Sequence, residues 1–175
     1  MPTTSRGYTY PASTSHTRLW EHIQTLAQNV NDDVAGILTN YFPATVQDRQ
    51  DTGITGITGT SYAAGTTCGK AFIASTTGRA LIHWKAQLDN TTSDTLVSIR
   101  VGSGATLGSG TEVFAAADAV ALSMTQDDQL QIGMSYLIEG LTPGATYNAV
   151  TMHRVTTGGG TGAVSRRAII IAPAT

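Results

Sequence analysis

The chain is short of charge. Only 13% of its 175 residues are Asp, Glu, Lys or Arg, against about 25% in ordinary soluble domains. Lysine occurs only at Lys70 and Lys85, so most of the positive charge is arginine. The net charge is −2 and no basic face is legible, which argues against nucleic acid as a partner. Cys68 is the single cysteine, so no internal disulfide can form and packing or assembly must hold the fold. No run of about 18 apolar residues exists, so no membrane-spanning helix is expected. The opening MPTTSRGYTYPAST has no apolar core segment and does not read as a signal peptide.

What is abundant is threonine, with 29 residues, and glycine, with 19. Thr and small residues suit half-buried pleated strands, and Gly suits the turns between them. The expected fold is therefore mainly β: a C-terminal β-sandwich or jelly roll, preceded by an extended N-terminal arm and one amphipathic α-helix.

Three regions are expected, with boundaries at 42 and 66. Residues 1–42 form an arm and a helix. The arm, to about residue 17, is polar and aromatic without a period, and is expected to lie on a partner rather than on its own domain. Residues 17–39 read as a helix, with Thr17 as N-cap and Glu21 in the first turn. Leu19, Ile23, Leu26, Val30, Val34 and Ile37 make one stripe. In heptad terms Ile23, Val30 and Ile37 occupy a, and Leu19 and Leu26 occupy d, while Asp33 interrupts the next d. The stripe suits either a coiled coil or an amphipathic helix packed on a neighbour, and β-branched a with Leu d favours two strands. Residues 43–66 read as a Gly/Thr-rich linker.

From 67 to 175 a sandwich domain is expected, with strands near 67–75, 79–89, 94–102, 111–115, 118–125, 129–139, 145–156 and 163–172. In RALIHWKAQL, Ala80, Ile82, Trp84, Ala86 and Leu88 form the core face. Val97, Ile99 and Val101 oppose Leu96, Ser98 and Arg100 in the next strand. Arg166 and Arg167 are adjacent in a strand, so at most one faces outward, as a solvated charge or toward an acidic partner. In LTPGATY, Pro143 presets a turn, Gly144 accepts positive φ, and Tyr147 begins the next strand as a structural lock.

No reactive grouping is legible. Cys68 sits in strand-like TTCGKAF and reads as a small buried hydrophobe. His16, His22, His83 and His153 lack metal-site spacing, leaving only a remote His83–His153 cross-strand pair. The doublets Asp32–Asp33 and Asp127–Asp128 read as solvated caps and turns. No catalytic residue, metal or cofactor is expected, and the chain is read as a non-enzyme.

Two stretches carry a family resemblance. SRGYTYP at 5–11, followed by LAQNVNDDV at 26–34, resembles the start of minor structural proteins of tailed phages that infect actinobacteria. GLTPGATYNAVTMHRV at 140–155, with GTGAVSRRAIIIAPA at 160–174, resembles terminal strands of tail- and head-fibre sandwiches, and LTPGATY is similar to a fibronectin tyrosine corner. The resemblance implies a virion protein assembled in the bacterial cytoplasm. Its arm (Arg6, Tyr8, Tyr10, Pro11) would fix it to capsid or tail proteins, and copies would form a homotrimer rather than a dimer. Fibre, spike or decoration, with host attachment, is the expected role. The alternative from the residues is a carbohydrate-binding module for surface glycans, with Tyr62 as the aromatic outside the strands; Trp84, Tyr136 and Tyr147 are read as core.

Overall fold

The computed structural model describes residues 19–41, 43–90, 93–125, 129–158 and 160–174. The arm residues Arg6, Tyr8, Tyr10 and Pro11, and the expected cap Thr17, lie outside them, as do Asp127 and Asp128. The chain divides into two units, Met1–Phe42 and Pro43–Thr175.

The first unit contains α1 (Leu19–Tyr41), 23 residues long, with Glu21 in its first turn, where a carboxylate meets the positive end of the helix dipole. Gln28 Nε2 donates to Asp32 Oδ1 at 2.8 Å, an i, i+4 link on the polar side. Pro43, which lacks the N–H to continue a helix, follows two residues after its end.

The second unit is a β-sandwich of two five-stranded sheets. Its strands are β1 (Val46–Gln50), β2 (Ile54–Ile57), β3 (Gly69–Ile73), β4 (Ala80–Asn90), β5 (Thr95–Ser103), β6 (Glu112–Phe114), β7 (Leu122–Met124), β8 (Gln129–Ile138), β9 (Thr146–Val155) and β10 (Gly162–Pro173). The first sheet runs β1-β10-β4-β8, with β2 also on β10; the second runs β3-β9-β5-β6, with β7 also on β5. All pairings are antiparallel.

The alternation in β4 sets the core. Ala80, Ile82, Trp84, Ala86 and Leu88 are at most 1% exposed. They meet Val164, Ile169 and Ile171 of β10, and Val97, Ile99, Val101, Ala149 and Val155 of the other sheet, in one apolar cluster. Trp84 spans the two layers, its indole N–H donating to the Val97 carbonyl at 3.4 Å. Truncating so large a buried ring typically costs about 3–5 kcal/mol.

Three local expectations are corrected, and the outward pair Leu96 and Ser98 proves to be covered. The stretch 43–66 is not a plain linker: β1 and β2 lie within it and extend the first sheet over β10. The strand expected at 118–125 is a 3₁₀ turn, Asp118–Val120, followed by the short β7. Leu96 and Ser98 point away from the core yet are buried, because the segment after β6 crosses over them: Ser98 Oγ donates to the Val120 carbonyl at 3.0 Å and accepts from Ala117 N–H at 3.2 Å. Tyr136 is not core; it is 38% exposed and stacks at 5.2 Å on Phe114.

Candidate functional site

The surface of α1 is unusually apolar. Ile23, Leu26, Val30, Val34 and Ile37 are 42–49% exposed. They recur every three or four residues, so they form one continuous apolar strip along α1. Leu19 opens the same helix. Strips of this kind ordinarily face a core or another helix.

At 141–147 the chain makes a tight corner. Gly144 has φ +73°, a backbone that side chains with Cβ rarely adopt. Ala145 N–H donates to the Thr142 carbonyl at 3.1 Å, and Leu141 N–H donates to the Gly78 carbonyl at 3.0 Å. The Tyr147 hydroxyl accepts from the Thr142 N–H at 2.9 Å, while its ring lies 6.0 Å from that of Phe72. The arrangement closes the turn Pro143–Gly144 onto the following strand and involves no reactive group.

The two arginines of β10 have separate fates. The register against β4 shifts between Ser165 and Ala168, a bulge that lets consecutive residues leave the alternation. Arg166 sits there with φ +47°, the only non-glycine with positive φ among the described residues. Arg167 is fully buried. Its guanidinium donates to the Thr66 carbonyl and to the Thr52 carbonyl at 3.4 Å, while its Nε has no partner. Arg167 is therefore neither a solvated charge nor outward facing: it pins both ends of the 52–66 segment to the sheet. That one of two adjacent arginines turns inward follows from strand alternation; its hold on the 52–66 segment was not legible, because that segment reads as linker.

Around Arg167 lie Cys68 and His153, both buried, and Asp48, whose carboxylate accepts from Gly69 N–H at 2.9 Å. Burial first, then the Asp48 charge, pushes the Cys68 thiol up to about 11, so it is protonated at neutral pH and a poor nucleophile. Burial, and then the Arg167 charge, hold the His153 imidazole below its ordinary 6.5. His83 is elsewhere, on the outward face of β4 with Ser135 Oγ at 2.9 Å, so the two histidines do not meet. Among the described residues, no group of three His, Cys, Asp or Glu side chains is placed to hold a metal ion.

Two polar features remain on the sandwich. Arg154 forms a paired contact with the Asp118 carboxylate and lies 5.5 Å over the Tyr62 ring; the Tyr62 hydroxyl donates to Asp118 Oδ1 at 2.9 Å. Burial first, then the Asp118 carboxylate, pushes that phenol up to about 12. Tyr62 is thus engaged in a latch and is no free sugar platform. On the outward face of the first sheet, a groove of about 450 Å³ is lined by Arg49, Asp51, Lys85, Gln131 and Arg166. Arg49 pairs with Asp51 at 2.8 Å, whereas Lys85 and Arg166 have no ion pair among the described residues. Sequence reasoning missed this groove because its residues come from four strands, and β1 was read as linker. No helix of the described residues is long and apolar enough to cross a membrane.

No family model matches the sequence, and no curated protein matches it significantly. Several solved structures are similar at low identity. A chain of infectious bursal disease virus, Gt strain, is 9% identical with a TM-score of 0.46, over 75% of this chain and 34% of that one. The tandem CBM22 domain of Paenibacillus barcinonensis Xyn10C is 10% identical with a TM-score of 0.39, over 76% and 41%. The enzymatically active domain of tailspike protein 4 of bacteriophage CBA120 is 14% identical with a TM-score of 0.34, over 78% and 20%. The chain thus spans less than half the length of each of these proteins, at scores that carry no argument about function.

Proposed function

We propose that this chain is a non-enzymatic structural protein of a phage particle, of the fibre, spike or decoration type. Its N-terminal arm fixes it to capsid or tail proteins, α1 gathers copies, and the sandwich is displayed, where repeated weak contacts with a host surface add up. The observation that carries the reading is the apolar strip on α1, whose five large side chains are nearly half exposed. Burying such residues is worth about 1.5–3 kcal/mol each when complete, and heptad spacing directs that burial to other copies of the same helix. The phage assignment, and three copies rather than two, rest on the resemblance of SRGYTYP with LAQNVNDDV, and of the C-terminal strands, to actinobacterial phage structural proteins. Val30→Asp, which places a carboxylate at a central a position, is expected to reduce the assembly to single chains in sedimentation while leaving the sandwich's thermal unfolding unchanged. Wild-type protein that sediments as one chain would defeat the reading, as would failure of the full chain to co-sediment with its particle.

A second reading, carbohydrate binding, is favoured by the groove at Arg49, Lys85, Gln131 and Arg166. The outward residues of that sheet include no Trp, Tyr or Phe, so stacking on neutral sugars has no platform. A glycan held there would be anionic. An array of acidic and neutral glycans, probed with wild type and the double variant Lys85→Ala/Arg166→Ala, tests this; equal binding by both proteins, or no binding, removes it.

A further inference from the structure

The sheet edges differ in how they are protected. β1 carries Asp48 and Arg49, β3 carries Lys70, and β6 carries Glu112 and is three residues long. The off-path strands β2 and β7 have four and three residues. Charges and short length are the ordinary means of stopping an open edge from pairing with another chain. β8 has neither. It is ten residues long, reads QLQIGMSYLI, and contains no charge and no proline. Among the described residues it is bonded on one side only, to β4.

Its inward face is also incompletely covered. Leu130 is 47% and Tyr136 38% exposed, whereas Ile138 is 3% exposed. Ile132 and Met134 are half-buried. The exposure of Leu130 and Tyr136 leaves apolar surface along this side of the sandwich. From Leu130 to Ile138 the backbone carries no second strand among the described residues, and the side chains beside it offer apolar surface.

We propose that β8 pairs antiparallel with β8 of a second copy of this chain, about a two-fold axis at Met134, joining two first sheets into one. Three features select a second copy as the occupant. An uncharged strand meets no repulsion from itself. In the register centred on Met134, the inward face sets Met134 against Met134, Ile132 against Tyr136 and Leu130 against Ile138 of the other copy, so every inward contact is apolar. The outward face sets Gly133 against Ser135 and Gln131 against Leu137, with no like charges opposed. An isologous contact of this kind closes after two copies, and the charged or short remaining edges end further growth. One strand pair is a small interface, below the roughly 800 Å² per partner of stable complexes, so the pairing is concentration-dependent. It is separate from the α1 contact.

Amide hydrogen exchange of the full chain over a concentration series tests this, in wild type and in Val30→Asp. β8 amides are expected to exchange at least about tenfold more slowly at high concentration than at low in both proteins, with Val30→Asp requiring a higher concentration. Loss of the wild-type advantage over Val30→Asp would count against the helix reading and leave the β8 pairing standing. Open exchange of β8 at every concentration in both proteins would overturn the pairing. Oxidation of Met134→Cys at high concentration gives the register: on-axis Cα atoms about 4.5–5.5 Å apart suit a disulfide, so a cross-linked dimer should form at least about tenfold faster than with Gln131→Cys. Equal rates at the two positions, or no dimer from Met134→Cys, would overturn it. Wild type, whose Cys68 is buried, is the control.

Discussion

Arg166 and Arg167 show how much one backbone irregularity decides. Without the bulge, strict alternation would still send one arginine inward and the other outward, both on extended backbone. The bulge holds Arg166 at φ +47°, a conformation that costs a non-glycine residue about 1 kcal/mol or more. Arg166→Gly is therefore expected to raise stability by about 1 kcal/mol in urea unfolding; a lower midpoint would show that the arginine side chain repays its strain through contacts. Arg167→Ala should cost about 1–3 kcal/mol, because the Thr52 and Thr66 carbonyls lose their donors. Hydrogen exchange should show residues 52–66 loosening first. His153 adds a pH dependence. Folding keeps its imidazole neutral below 6.5, whereas the unfolded chain takes up a proton there. The unfolded state binds more protons, so stability is full above pH 6.5 and declines as the pH falls below it, by at most about 1.4 kcal/mol per pH unit. Comparing urea midpoints at pH 7.5 and 5.5, wild type should lose more than His153→Gln; identical losses would contradict this.

The elements that could be read from the sequence are those with both a period and punctuation. β4 alternates over its whole length, and turn-rich segments flank it, so its core face, Ala80 to Leu88, was legible residue by residue. β5, β8, β9 and β10 were bounded by Gly-, Thr- and Asn-rich turns in the same way. β1 and β2 were not legible. VQDRQ has two charges in five residues and ITGI has a glycine inside, so neither resembles a strand until β10 supplies the ladder beside it. The burial of Leu96 and Ser98 was hidden for a different reason: it depends on a crossing segment held by distant partners. Asn148 does the same work nearby, donating to the carbonyls of Gly102 at 3.1 Å and Gly104 at 3.0 Å and accepting from Gly108 N–H at 3.0 Å. Long-range polar clamps leave no period. The α1 stripe was legible as a stripe, but periodicity says only that a helix face is apolar, not what covers it.

At the scale of the whole molecule, two units serve different ends. Apart from the β8 edge the sandwich completes itself: its core is closed by Trp84 and its neighbours, its corners by Tyr147 and Asn148, and two carbonyls accept from its buried cation. The helix does not, since its apolar side chains remain near half exposed. Low charge fits this division. A chain with 13% charged residues has little repulsion between copies to oppose assembly, and little long-range field with which to steer a soluble ligand. The proposed role follows from that asymmetry: a stable displayed body carried by an element that is complete only in company. The most direct test is the native mass of the full chain at low micromolar concentration, where the weaker β8 contact has dissociated. The account predicts three times the chain mass, falling to a single chain on Val30→Asp; a wild-type monomer with α1 still helical would contradict it.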